Sequence, residues 1–151
     1  MTSVLRTIWS ETIGPMLRRP PALQLAALCH RDTPKGVEVL LVTSSSGRWI
    51  LPKGWPIDGM TAAQAAHQEA WEEGGVKAEG APDDAIDTIK STKTFNSGLT
   101  IPCEVQIFEL PVTEVANDYP EAHRRERIWV SLTRAVEMVD ETALKTVLRN
   151  F

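Results

Sequence analysis

The sequence predicts an α/β (α+β) fold, a mixed β-sheet sandwiched between helices. Three observations lead there. Apolar runs of strand length recur at residues 22–30, 37–43, 99–110 and 128–130. One strongly signalled helix, opening at Ala62, interrupts them, and a second helical stretch closes the chain after Ser131. With 151 residues, 42% apolar and 24% charged, the chain is long enough for one full core of ordinary composition. Residues 1–21 read as an N-terminal helical extension and connector, and residues 22–151 as a single domain.

Taken in order, Val4, Leu5, Ile8, Trp9, Ile13 and Leu17 recur at helical spacing. That stripe predicts an amphipathic helix lying on the domain or on a second subunit, so a homodimer is one expectation. Arg18-Arg19-Pro20-Pro21 is a stiff connector, because proline forbids continued helix. The run ALQLAALCH predicts a strand, a turn falls at 32–36, and VEVLLVT predicts a strand buried on both faces. Ser44 to Gly47 form a small polar loop, and Arg48-Trp49-Ile50-Leu51 lead into a glycine loop at Gly54. Asn96-Ser97-Gly98 marks a turn between strands at 85–95 and 99–110, with Pro102 implying an edge position or a bulge. Residues 114–121 are polar and read as loop. Ser131 or Thr133 caps a final helical region, with a break near Asp140.

Charge and cysteine content set limits on function. A net charge of −4 argues against bulk binding to duplex nucleic acid or to an anionic membrane. No apolar stretch approaches 18 residues and no signal-peptide core opens the chain, so a cytoplasmic protein with no membrane partner is expected. Cys29 and Cys103, both within apolar runs, read as buried thiols rather than a disulfide or metal pair.

The most informative stretch is GWPIDGMTAAQAAHQEAWEEGGV, Gly54 to Val76. Thr61 and Gln64 make a capping box, and Gly74-Gly75 end the helix. At ~100° per residue, Ala62, Ala65, Ala66, Glu69, Ala70, Glu72 and Glu73 share one side, while Gln64, His67, Gln68 and Trp71 face away. Alanine lets the helix press closely on a sheet. Three carboxylates continuing the same stripe repel one another unless a cation neutralises them, and hard oxygen ligands so held suit Mg²⁺ or Mn²⁺.

Gly54, Glu69, Glu72, Glu73, Gly75 and Val76 stand where the Nudix box, G-x5-E-x7-R-E-U-x-E-E-x-G-U, has its fixed residues, and the stretch resembles that signature of pyrophosphohydrolases. Two positions depart from it, with Met60 in place of the first glutamate and Gln68 in place of the arginine. The resemblance implies the sheet-between-helices fold and metal-dependent hydrolysis of a phosphoanhydride. It implies Glu69, Glu73 and the Gly54 carbonyl as metal ligands, with Glu72 as general base or ligand to a second metal.

Arg48 to Pro56 (RWILPKGWP) looks like the R-W-x-L-P-K-G-x-x stretch of the diphosphoinositol polyphosphate and diadenosine polyphosphate hydrolase branch. Arg48 and Lys53 would neutralise a polyphosphate chain. Ser44 and Ser45 in the polar loop, Trp55 in the glycine loop and Arg125 in the basic run His123–Arg127 complete the expected substrate-binding set. The expected partner is a polyphosphorylated small molecule. A reading of a different class, a non-catalytic or weakly active nucleotide-sensing module, is permitted by Met60 and Gln68. Retention of three mutually repelling glutamates argues against it.

Overall fold

A computed structural model describes residues 21–151. The expected N-terminal helix at 3–17 lies outside the described residues. The described chain runs β1 (Ala22–Thr33), β2 (Gly36–Thr43), β3 (Trp49–Ile50), β4 (Lys53–Gly54), α1 (Ala62–Gly74), β5 (Val76–Lys77), β6 (Asp87–Thr94), β7 (Thr100–Pro111), β8 (Glu114–Val115), β9 (Arg127–Ser131), α2 (Leu132–Met138) and α3 (Thr142–Asn150). The main sheet is mixed, as expected. Its path is β3-β2-β1-β7-β6, with β4 added against β1 and β9 against β2. β1 and β7 pair in parallel from Ala22↔Cys103 to His30↔Pro111, and the other pairings in this sheet are antiparallel.

Side-chain alternation on β1 and β2 divides the core into two layers. Leu25, Ala27, Cys29, Leu40 and Val42 face α1, and meet Ala65, Ala66 and Ala70 there. Ala26, Leu28, Val39 and Leu41 face the opposite way, onto Ala135, Val139, Leu144, Val147 and Leu148 of the C-terminal helices. β2 is buried on both faces along Val39–Val42, as its continuous apolar run requires. Cys29 and Cys103 are buried free thiols, and burial pushes both thiols up from their ordinary value. Among the described residues, no helix is long and apolar enough to cross a membrane.

Pro102 holds an edge position, as expected: β7 lies between β1 and β6, but Pro102 pairs only with Thr92 of β6, because pairing with β1 starts one residue later, at Cys103. Two other sequence expectations change. The polar stretch after Pro111 is not all loop, since Glu114–Val115 pair with Val76–Lys77 in a separate two-stranded sheet. Ala63 joins the buried face of α1, which is therefore wider than the alanine stripe read from spacing.

Candidate active site

The site is assembled where α1 meets the short β4. Both halves of the α1 capping box form: Thr61 Oγ1 accepts from the Gln64 N–H at 3.2 Å, and Gln64 Oε1 accepts from the Thr61 N–H at 2.9 Å. At the other end Gly75 adopts φ 65°, the left-handed conformation, and its N–H donates to the Trp71 carbonyl at 3.0 Å. The helix carries no basic residue in its own last turn. Arg127 of β9 supplies that charge, donating from Nη1 to the Gly74 carbonyl at 2.8 Å.

This framework fixes the three glutamates differently. Gly54 is packed directly on Glu69: a Cβ there would overlap the Glu69 carboxyl carbon and Oε1. Glu73 is 2% exposed; its Oε2 accepts the Lys53 N–H at 3.2 Å and its Oε1 lies 3.4 Å from Arg125 Nη2. Glu72 is partly buried and accepts from Gln68 Nε2 at 3.0 Å. Gln68, standing where the box has arginine, thus holds Glu72 through a neutral amide.

Burial, with repulsion from Glu72 and Glu121, pushes Glu69 up to about 7, against partial relief from Arg125. Burial raises Glu73 further, to about 8, and outweighs the Arg125 guanidinium and the Lys53 N–H that favour its charged form. Glu69 adds to that rise by like-charge repulsion. Desolvated oxygen donors with too little countercharge are a donor set that fits a hard cation. Among the described residues, no three His, Cys, Asp or Glu side chains converge on one point. Here Glu73 is drawn to Arg125 and Glu72 to Gln68.

Beside these carboxylates opens a cleft of about 530 Å³. It gathers Ser44, Ser45, Arg48, Lys53, Glu73 and Arg125, so most of the substrate set expected from sequence shares one cleft. Burial lowers the Lys53 ammonium from its usual value. Arg125 is the member of its basic run fixed at the cleft: Nη1 donates to the Thr43 carbonyl at 2.8 Å and Nε to Glu121 Oε1 at 3.3 Å. His123 and Arg124 are exposed, so the run divides by position. Trp55 does not join the cleft lining; it follows β4 on the surface, 39% exposed.

The rest of the lining was missed from sequence. It is the β6–β7 hairpin, Thr92 to Asn96, together with Glu141 at the start of α3 and Gln24 of β1. Nothing local distinguishes those hairpin residues. Gln24 did carry a signal, as the one polar residue within ALQLAALC. Met60 and Gln68 lie apart from the cleft, on a groove of about 620 Å³ along the outer side of α1 that also takes in His67 and Trp71. Lys77 Nζ sits 4.3 Å over the Trp71 ring, and His67 Nε2 is buried without a protein partner.

Fold and site together define a domain of one class, and residues 22–151 match the model of the NUDIX domain. The chain belongs to that family. It is 32% identical over 118 residues to Nudix hydrolase 12, mitochondrial, of Arabidopsis thaliana, covering 76% of this chain and 58% of that protein. It is 34% identical over 116 residues to Nudix hydrolase 17, mitochondrial, of the same plant, covering 74% and 59%. The chain thus spans just under three fifths of these relatives' length. The fold is also that of an Ap4A hydrolase of C. elegans, with TM-score 0.63 and 21% identity over 87% of this chain and 96% of that one.

Proposed function

We propose that this chain is a Nudix-type pyrophosphohydrolase that cleaves a phosphoanhydride bond in a polyphosphorylated small molecule with Mg²⁺ or Mn²⁺. The observation that carries the reading is Glu73, a buried carboxylate at the wall of a cleft that also presents Arg48, Lys53 and Arg125. A pure anion-binding cleft has no use for a buried carboxylate that its neighbours leave short of countercharge.

Glu69 and Glu73, with the Gly54 carbonyl, would hold the cation. When bound, it would neutralise phosphoryl charge and favour attack by water. The chain's own groups do the rest. Arg48 and Lys53 receive phosphoryl oxygens, with Ser44 and Ser45 offering hydroxyl donors beside them. Arg125, braced by Thr43 and Glu121, orients Glu73. Glu72, partly exposed and steadied by Gln68, is placed to accept a proton from the attacking water or to bind a second cation.

Diadenosine polyphosphates and diphosphoinositol polyphosphates are the favoured substrates, on the strength of the Arg48–Pro56 stretch and the cationic cleft wall. The neutral residues Met60 and Gln68 support a second reading, a weakly active or non-catalytic nucleotide-sensing module. A phosphate-release screen across nucleotide and inositol polyphosphates, with Mg²⁺, Mn²⁺ or EDTA, separates them. Turnover that requires the divalent ion supports the hydrolase. Tight nucleotide binding with no turnover under any condition supports the sensor.

A further inference from the structure

Beside the three glutamates of α1 stands a fourth carboxylate, Glu121, from outside the box. It lies in the turn at 120–124, and its backbone N–H donates to the Glu72 carbonyl at 2.9 Å, so the last turn of α1 itself sets its place. The Arg124 and Arg125 N–H groups both donate to the Glu121 carbonyl, at 3.0 and 3.2 Å. That turn brings the Arg125 guanidinium back beside the Glu121 side chain. The guanidinium is divided there. Nε lies 3.3 Å from Glu121 Oε1 and Nη2 lies 3.4 Å from Glu73 Oε1, both longer than the ~2.7–2.9 Å of a closed charge-assisted bond. Its one short bond, 2.8 Å from Nη1, goes to the neutral Thr43 carbonyl. Among the described residues, no other cation is paired with either carboxylate. One positive charge thus serves two negative ones, and Glu73, at 2% exposed, is too buried for solvent to make up the difference.

We propose that Glu121 is a positioning residue that sets the cation affinity of the site by holding Arg125 back from Glu73. It acts through Arg125, without touching the cation or the phosphates. This rests on the reading of Glu69 and Glu73 as ligands to Mg²⁺ or Mn²⁺. Were Arg125 to close fully on Glu73, a buried ion pair would satisfy that carboxylate and compete with the metal. With part of the guanidinium turned to Glu121, Glu73 stays short of countercharge and open to a divalent ion. Arg125 itself stays at the cleft lining.

The test uses the full chain, Glu121→Gln, Arg125→Gln and the double variant, with Mg²⁺ alone as the probe and no substrate. Calorimetry reads the Mg²⁺ Kd, and thermal unfolding in EDTA reads the metal-free fold. Glu121→Gln is expected to weaken Mg²⁺ about tenfold, the scale of losing a group that orients a metal ligand. Its Tm in EDTA should hold or rise, because Arg125 then pairs wholly with Glu73, whereas a merely structural Glu121 would lower it. Arg125→Gln is expected to bind Mg²⁺ at least as tightly as the parent, since Glu73 loses its competing cation. In that background Glu121→Gln should change the Kd less than about twofold, because the residue through which it acts is gone. A parent that responds to neither Mg²⁺ nor Mn²⁺ removes the metal reading, and this inference with it. Where the parent does respond, the inference alone is overturned by an unchanged Kd or a lowered EDTA Tm in Glu121→Gln. Weaker Mg²⁺ binding in Arg125→Gln overturns it as well. So does an equal loss from Glu121→Gln in both backgrounds, which would make Glu121 a ligand in its own right.

Discussion

Substituting Gly54→Ala should disable the site while sparing the fold. Gly54 is not among the glycines with positive φ, so alanine meets no backbone strain there. The whole effect is steric. The new methyl would overlap the Glu69 carboxyl carbon and Oε1, and lie 2.8 Å from its Cγ. Overpacking a rigid core costs roughly 1–3 kcal/mol. Glu69 is only partly buried and can swing aside, so a loss near ~1 kcal/mol is expected. Catalysis has no such escape, because the displaced carboxylate is a proposed metal ligand. Even groups that merely orient a ligand cost ~10–100-fold when removed, and Gly54→Ala should lose at least that in divalent-dependent kcat/KM. Urea unfolding and a Mg²⁺ titration of Tm read the two effects separately. In a Glu69→Ala background the methyl has room, and Gly54→Ala should then add less than ~0.5 kcal/mol. Full turnover and an unchanged Mg²⁺ response in Gly54→Ala would refute the packing of Gly54 on a metal ligand.

Other outcomes follow from the same geometry. Folded Glu69 and Glu73 titrate near 7 and 8, above the ordinary carboxylate value of 4.5. The folded chain therefore binds more protons than the unfolded one across that window, so Tm measured in EDTA should fall as pH rises from about 4.5 to 8 and level off above. Mg²⁺ stabilisation should grow over the same range, since ligation needs the carboxylates deprotonated; a Tm in EDTA that climbs through the window would contradict this. Gly75→Ala should cost about 1–3 kcal/mol in urea unfolding, because Gly75 is left-handed and a Cβ there would overlap the Tyr119 ring. Restoring Met60→Glu with Gln68→Arg should raise turnover roughly tenfold, ~1.4 kcal/mol of transition-state stabilisation, with the pair exceeding the sum of the singles. A parent enzyme already as fast as the double variant would mean Met60 and Gln68 are adapted to their groove.

Local physics made α1 legible in advance. Thr61, Gln64 and Gly75 signal through interactions within a turn or two of themselves, and each forms the predicted bond or dihedral. The strands were legible where burial repeats over many residues, as in β1, β2 and β7. They were not legible where two residues pair across a long gap, as Val76–Lys77 do with Glu114–Val115. Pro102 was legible as an edge position, because its missing donor is harmless only where a neighbour is lacking, and pairing with β1 starts one residue later. Arg125 was named from its basic run, but its tie to Thr43 and Glu73 was not legible, since only the tertiary fold brings them together. Thr92 to Asn96 reach the cleft through sheet register alone, which sequence spacing does not encode.

The central claim, that the glutamates of α1 make this chain a divalent-dependent hydrolase, is tested most directly by Glu73→Gln. Glutamine keeps the volume and an acceptor for the Lys53 N–H and removes only the charge. Phosphate release from diadenosine tetraphosphate, measured against a Mg²⁺ titration, should be divalent-dependent in the parent and abolished in Glu73→Gln, along with the Mg²⁺-induced rise in Tm. Parent-like turnover with an unchanged Mg²⁺ dependence in Glu73→Gln would contradict the account.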